Sequence, residues 1–203
     1  MVDIVQDKEI NLKGKFVNLK SINESDFYKI IEWRNNPEIN KYLNQPYKLT
    51  MELQYKWYKE KYLNSNDILF IIIETKSKNR IGTIGINDLD YKNQIGIVGR
   101  LLIGEKEYRG SKELIEANIL FYDYLFYILK LKKLYCHVVI ENKKVISFDK
   151  KFGFTVTRKT IFPQYRNVNG MKLIEMVNTK EQYEKAKKKI EPIIHYFKIS
   201  KKE

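Results

Sequence analysis

One stretch constrains this chain more than any other. Gln94 to Asp123 reads QIGIVGRLLIGEKEYRGSKELIEANILFYD. An apolar strand from Ile95 to Gly104 enters a charged turn, GEKEYRGSKE, and a long helix follows with no linker. The first backbone N–H groups of a helix have no intrahelical partner, and the macrodipole puts partial positive charge beside them. Strand, tight basic turn and helix N-terminus together suit a phosphorylated ligand. Arg109, Gly110, Ser111, Lys112, Glu113 and Leu114 span the junction. Gly110 admits a positive φ or a close backbone approach. The same residues also suit an ordinary surface turn, because one glycine is a weak signal.

The chain is 203 residues long, which suits one domain over residues 14–178, a frayed lead of 1–13 and a helical extension of 179–203. With 43% hydrophobic and 31% charged residues it can bury a core and is not a disordered chain. A net charge of +13 suits nucleic acid, an acidic membrane surface or an anionic substrate, and equally a solvated surface of scattered lysines. No recognised nucleic-acid module or basic helix appears, so nucleic acid is not an expected partner. Cys136 is the only cysteine, which excludes an internal disulfide and fits a reducing compartment. The N-terminus has no apolar signal region, and the longest apolar run, Ile68 to Ile73, is too short to span a bilayer. These features predict a soluble cytoplasmic protein with no membrane partner.

Hydrophobic periodicity supplies the rest of the order. Lys15 to Lys20 alternates as a first strand, and Asn23 or Ser25 caps a helix that carries Phe27, Ile30, Ile31 and Trp33 on one face. Pro37 ends or kinks it, and Thr50 caps a second helix carrying Leu53, Trp57 and Leu63. The segment between Trp33 and Trp57, rich in Tyr and Asn, reads either as a mobile lip over a pocket or as a helix pair packed on the sheet edge. Strands follow at Asp67 to Glu74 and Arg80 to Leu89, then the opening strand and its helix, then a strand at Lys133 to Ile140. Asn142 to Lys151 is a short helix with Val145, Ile146 and Phe148 inward, ended by Gly153. Two last strands flank the loop PQYRNVNG, and Thr179 caps a final helix interrupted by Pro192. The fold class is α/β (α+β): a mixed, mostly antiparallel sheet, splayed at its centre, with helices on both faces.

Three separated pieces then resemble one family. The element order, YRGSKELIEA at the strand-to-helix turn and ENKKVISFDKKFGF after the next strand are similar to the GCN5-related N-acetyltransferases (GNAT). EWRNNPEINKYL and IGTIGINDLD resemble the subgroup of ribosomal-protein N-terminal, spermidine and pseudaminic-acid-pathway amino-sugar acetyltransferases. The resemblance implies acetyl-CoA as cofactor, with its pyrophosphate at Arg109 to Leu114 and its pantetheine arm along Leu101, Leu102 and Ile103. It also implies that Asn142 contacts that arm, although Asn142 alone reads as a helix cap.

The sequence departs from the family where chemistry is expected. Lys112 and Leu114 stand where the pyrophosphate turn usually has small residues, Asp149 where many members have a tyrosine acid, and Val98 near the usual glutamate base. A carboxyl group donates a proton near neutrality only if burial raises its pKa. His137 is the candidate base, since histidine is the side chain that changes charge near neutral pH, and a half-buried strand histidine is the plain alternative. Asp149 is the other catalytic candidate, read as a helix-surface residue unless it supplies the missing proton. Trp33, Arg34, Arg100 and Tyr165, with Arg166 beside the last, are candidate substrate contacts. His195, in the last helix, reads as a surface residue. No metal site is expected, and a homodimer is compatible with the reading.

The implied activity is acetyl transfer from acetyl-CoA to a small, anionic amine acceptor, best matched by a nucleotide-linked amino sugar. A protein N-terminus, a polyamine and a catalytically lapsed acyl-CoA-binding module are the alternatives. Direct attack of the amine on the thioester is expected, because Cys136 alternates away from His137 on its strand.

Overall fold

The computed structural model describes residues 9–43, 45–161 and 172–199. Its strands are β1 (Asn11–Lys13), β2 (Val17–Ser21), β3 (Ile68–Glu74), β4 (Arg80–Asp90), β5 (Ile95–Ile103), β6 (Lys133–Val139), β7 (Thr155–Ile161) and β8 (Lys172–Thr179). They form one sheet in the order β1-β2-β3-β4-β5-β6-β8-β7, antiparallel except where β5 meets β6. The helices are α1 (Phe27–Asn35), α2 (Pro37–Asn40), α3 (Met51–Trp57), α4 (Lys112–Asp123), α5 (Lys143–Lys151) and α6 (Lys180–Ile199).

Strand β3 shows why the central run is continuously aliphatic. Phe70 and Ile72 point into the larger core with Phe121, Leu125, Leu134, Met176 and Tyr183, on the side of α4 and α6. Leu69 and Ile71 point the other way, into a smaller cluster with Ile30, Trp33, Tyr62 and Leu102. A strand covered on both faces has no polar position to alternate with. Each such side chain contributes roughly 1.5–3 kcal/mol on burial. Among the described residues no helix is long and apolar enough to cross a membrane.

The sheet opens at its centre. β5 pairs with β6 only through Ile95↔Lys133, Gly96↔Leu134 and Ile97↔Tyr135. Beyond Ile97, β5 stays with β4 while β6 stays with β8 as far as Val139. A bulge lies at the point of divergence: Gly99 pairs with Gly85 and Leu102 with Thr83, so Arg100 and Leu101 oppose the single residue Ile84. Arg100 sits at φ 52°, and Thr83 Oγ1 donates to its carbonyl at 2.8 Å. An extra residue on one strand bends it and increases its twist, which carries β5 away from β6.

Several expectations need correction. Asn11–Lys13, assigned to the frayed lead, pairs with Lys20–Asn18, since a short edge strand needs only backbone partners. α3 buries Gln54 and leaves Leu53 exposed, and Leu63 beyond it is also exposed, so the helix does not present the apolar face read from the sequence. α6 runs through Pro192 to Ile199, absorbing the loss of one N–H donor. The helices that flank the segment between Trp33 and Trp57 pack on the sheet face over Leu69 and Ile71 of β3, an interior strand, rather than on the sheet edge.

Candidate active site

The slot between β5 and β6 offers backbone groups. Gly104 N–H donates to the Ile81 carbonyl at 3.0 Å. Strand alternation therefore aims the N–H groups of Ile103 and Leu101 at the edge that β6 has left. Leu102 points into the smaller core and Leu101 and Ile103 toward the larger one, so both walls are apolar.

At the end of β5 the chain makes a short 3-10 turn over Lys106–Tyr108 and reaches Gly110 at φ 76°. A Cβ at Gly110 would meet nothing within 4 Å, so glycine is required by the dihedral while the space above it stays open. Ser111 caps α4, its side chain accepting from Leu114 N–H at 3.3 Å, and the helix ladder starts with Ile115 N–H on the Ser111 carbonyl. The N–H groups of Lys112 and Glu113 are those the helix start turns outward. Glu116 accepts from the N–H groups of Lys15, Phe16 and Val17 and ties this end of α4 to β2. Arg109 Nε lies 3.4 Å from the Ile103 carbonyl, directly beside the slot. Lys112 is turned away: its ammonium rests over the Phe16 ring at 4.6 Å and 3.8 Å from the Glu113 carboxylate. On the opposite bank Asn142 caps α5, its Oδ1 accepting from Val145 N–H at 3.4 Å, which leaves its amide nitrogen as a donor.

Asp149 is not on the helix surface. It is 6% exposed, and Cys136 Sγ lies 3.8 Å from its Oδ2. The reason is helical spacing: Asp149 falls one turn after Val145 and stays on the stripe that faces the sheet. Burial pushes its pKa up to about 7, partly opposed by the Cys136 contact. Burial and then the Asp149 charge raise both the Cys136 thiol and the Tyr122 hydroxyl well above their ordinary values. Cys136 is one residue past the last β5–β6 pair, so this buried acidic group stands at the root of the slot.

The other face of the sheet carries the substrate candidates. Trp33 is buried rather than lip-like: its Nε1 donates to Glu105 at 3.1 Å, and its indole occupies the place a Cβ of residue 104 would need. Arg34 donates from Nε to Gln45 Oε1 at 2.7 Å. Arg100 donates to Asn87 Oδ1 at 2.6 Å, lies 3.5 Å from Asp67 and stacks on Trp57 at 4.8 Å. Tyr165 and Arg166 lie outside the described residues, and so does the side chain of His195.

His137 points to this same face, opposite to Cys136, as the alternation predicts. Its Nε2 is 3.5 Å from Glu175 Oε2 on β8, and Thr157 Oγ1 donates to Glu175 Oε1 at 2.9 Å. Sequence reasoning missed Glu175, although a lone carboxylate inside the apolar strand MKLIEMVN was a readable signal. It also missed Gln45, Asp67 and Asn87, which carry no local pattern and gain their meaning only from what the fold brings beside the two arginines.

A model of the acetyltransferase (GNAT) domain matches residues 17–155. A spermidine N(1)-acetyltransferase of Vibrio cholerae serotype O1 is 26% identical over 166 residues, covering 78% of this chain and 93% of the relative. Among solved structures, spermidine N-acetyltransferase from Vibrio cholerae in complex with CoA and spermine superposes with a TM-score of 0.70 at 22% identity, over 84% of this chain and 99% of the other. The apo form of FdhC, a nucleotide-linked sugar GNAT, superposes with a TM-score of 0.69 at 24% identity, over 89% and 96%.

Proposed function

Because this chain belongs to the GNAT acetyltransferase family and is an acetyl-CoA-dependent N-acetyltransferase, we propose that its acceptor is a small amine bearing negative charge elsewhere, best matched by a nucleotide-linked amino sugar. One observation carries this reading. On the acceptor face several carboxylates already meet a lysine or arginine, Glu24 with Lys59, Asp26 with Arg80, Glu32 and Glu105 with Lys29, and Asp67 with Arg100, while Glu175 faces His137. An acceptor of high positive charge would have to displace those cations, whereas an anionic one is favoured by the net charge of +13.

The residues fit acetyl-CoA, which supplies an activated thioester carbonyl. The outward N–H groups of α4, with Arg109 beside them, suit a pyrophosphate. The slot edge at Leu101 and Ile103 offers hydrogen-bond donors to an extended amide chain, and Asn142 offers another. Asp149 holds a proton at the root of the slot, where a departing sulfur needs one, and its environment keeps the carboxyl neutral up to about pH 7. His137, oriented by Glu175, takes the proton of the attacking amine from the opposite face, through water. No covalent enzyme intermediate is required, because the raised pKa of Cys136 makes it a poor nucleophile. Holding amine and carbonyl together can supply roughly 7–11 kcal/mol of barrier lowering in well-oriented cases.

The 26% identical relative favours a second acceptor, spermidine. Thiol release from acetyl-CoA, measured with nucleotide-linked amino sugars, spermidine and short peptides, separates the two. Turnover of an amino sugar nucleotide above the others is expected, and a clear preference for spermidine overturns the reading. The lone buried Cys136 also fits a reducing, cytoplasmic setting.

A further inference from the structure

The acceptor face holds a second arginine that its neutral surroundings do not explain. Arg34 is half-buried, and its hydrogen-bond partner among the described residues is a neutral amide, Gln45. That amide is itself built in place. Gln45 is 4% exposed, and its Nε2 donates to the Tyr47 carbonyl at 3.0 Å and to Asn35 Oδ1 at 3.3 Å. Asn35 in turn holds Leu49 through both its backbone groups, at 2.8 Å each. The network fixes the Nε edge of the guanidinium and leaves the Nη groups unbonded. Among the described residues no carboxylate pairs with Arg34, and its Nη groups have no protein acceptor yet are not sealed from solvent. A fixed guanidinium with open donors and no counter-charge is a costly arrangement in an otherwise well-paired protein.

Arg100 makes the cost larger. Its charge and that of Arg34 repel one another, which together with burial, the larger cause, holds Arg34 below its usual pKa. Arg100 also occupies a left-handed backbone conformation at φ 52° that a glycine would adopt without strain. For an L-residue this conformation is strained, and such strain clusters at ligand sites. Its guanidinium lies over the Trp57 ring at 4.8 Å and is held by Asn87 and Asp67. Beyond Gln45 and Asn35 an open depression of about 520 Å³ is lined by these two residues with Asn40, Pro46, Tyr47 and Lys48. Its wall shares Gln45 and Asn35 with the Arg34 network and adds a further lysine.

We propose that the unbonded Nη groups of Arg34, with Arg100 beside them, form an oxyanion subsite that takes the diphosphate of the acceptor. The inference rests on the anionic-acceptor reading and names the part of the protein that reads the anion. Planar guanidinium forks match phosphate oxygens in pairs, and a dianion between two arginines turns their repulsion into attraction. Arg100 lies on the bulge beside the slot, so a diphosphate held there keeps the rest of the acceptor within reach of the β5–β6 opening.

The test uses the full chain saturated with CoA, so that the turn at Arg109 to Leu114 is occupied, and titrates inorganic pyrophosphate and UDP by calorimetry. The parent should bind both. Arg34→Met should weaken binding roughly ten- to a hundredfold, the scale of charge-assisted hydrogen bonds lost. Arg34→Lys should weaken it nearly as much, because a point charge lacks the fork. CoA affinity and the melting temperature of Arg34→Lys should match the parent, which covers the case in which Arg34→Met fails to fold. Failure of the parent to bind, or equal binding by parent and Arg34→Lys, overturns the subsite. Turnover separates the two ideas. If Arg34→Lys acetylates an amino sugar nucleotide with an unchanged KM, the subsite falls and the acceptor reading stands. If pyrophosphate binding depends on Arg34 while only spermidine is acetylated, the subsite stands and the acceptor reading falls.

Discussion

The two sides of the central slot are made of different materials. The proposed cofactor side is mainly backbone: the strand edge at Leu101 and Ile103, the turn at Gly110 and the first N–H groups of α4. The proposed acceptor side is mainly side chain: Arg34, Arg100, Asn87, Trp57, and the His137–Glu175 pair. Backbone donors survive replacement of the side chains around them. That is why Lys112 and Leu114, standing where small residues are usual, leave the helix start intact. Side-chain sites have no such tolerance, so one fold can keep its cofactor and change its acceptor. Under the proposed mechanism Asp149 is the exception on the cofactor side, the one carboxyl asked to supply a proton that the backbone cannot.

Replacing Asp149 should therefore have the largest effect. Asp149→Ala should lower kcat by roughly 10²–10⁴-fold, the range for loss of a general acid, with CoA affinity unchanged. Steady-state kinetics beside a CoA titration checks this, and an unchanged kcat would mean the buried carboxyl is passive. Stability gives an independent reading. The folded pKa, about 7, lies above the ordinary 3.8, so the folded state binds the extra proton between these values. The stability contributed at low pH is then lost as pH rises toward 7. Denaturant titrations of Asp149→Asn should accordingly gain on the parent from pH 4 to pH 7, by something on the order of 2–4 kcal/mol.

His137→Ala should come next, lowering kcat roughly tens- to a hundredfold. The alkaline rise in rate should move as well, since the amine would have to lose its proton unaided. A rate profile against pH with its shape unaltered would remove His137 and Glu175 from the chemistry.

The smallest effects sharpen the contrast of materials within one turn. Gly110→Val should weaken CoA binding about tenfold, because φ 76° costs a β-branched residue about 1–2 kcal/mol. Lys112→Glu should change it only a few-fold, since that ammonium is folded over Phe16 and Glu113. The opposite ranking, measured by calorimetry on both variants, would show that side-chain charge rather than backbone shape holds the phosphates.

Much of this was legible in the chain. Element order, the cap at Ser111, the glycine at Gly110, the cap at Asn142 and the outward alternation of His137 from Cys136 all follow from local spacing. The burial of Asp149 was legible in principle from its one-turn offset to Val145, but the charge obscured it. The partnership of Arg34 with Gln45 and of His137 with Glu175 was not, because each joins residues whose proximity only the sheet and its covering helices create. The bulge at Arg100 was hidden for a related reason: a positive φ at a non-glycine residue leaves no mark in the sequence.

The central claim is that the acceptor side reads negative charge. The most direct measurement is kcat/KM for a nucleotide-linked amino sugar and for spermidine, each followed by thiol release across a series of salt concentrations. The account predicts that the sugar nucleotide is the better substrate and that its kcat/KM falls as salt screens the positive face. A higher kcat/KM for spermidine, rising as salt screens its repulsion from the same face, would contradict it.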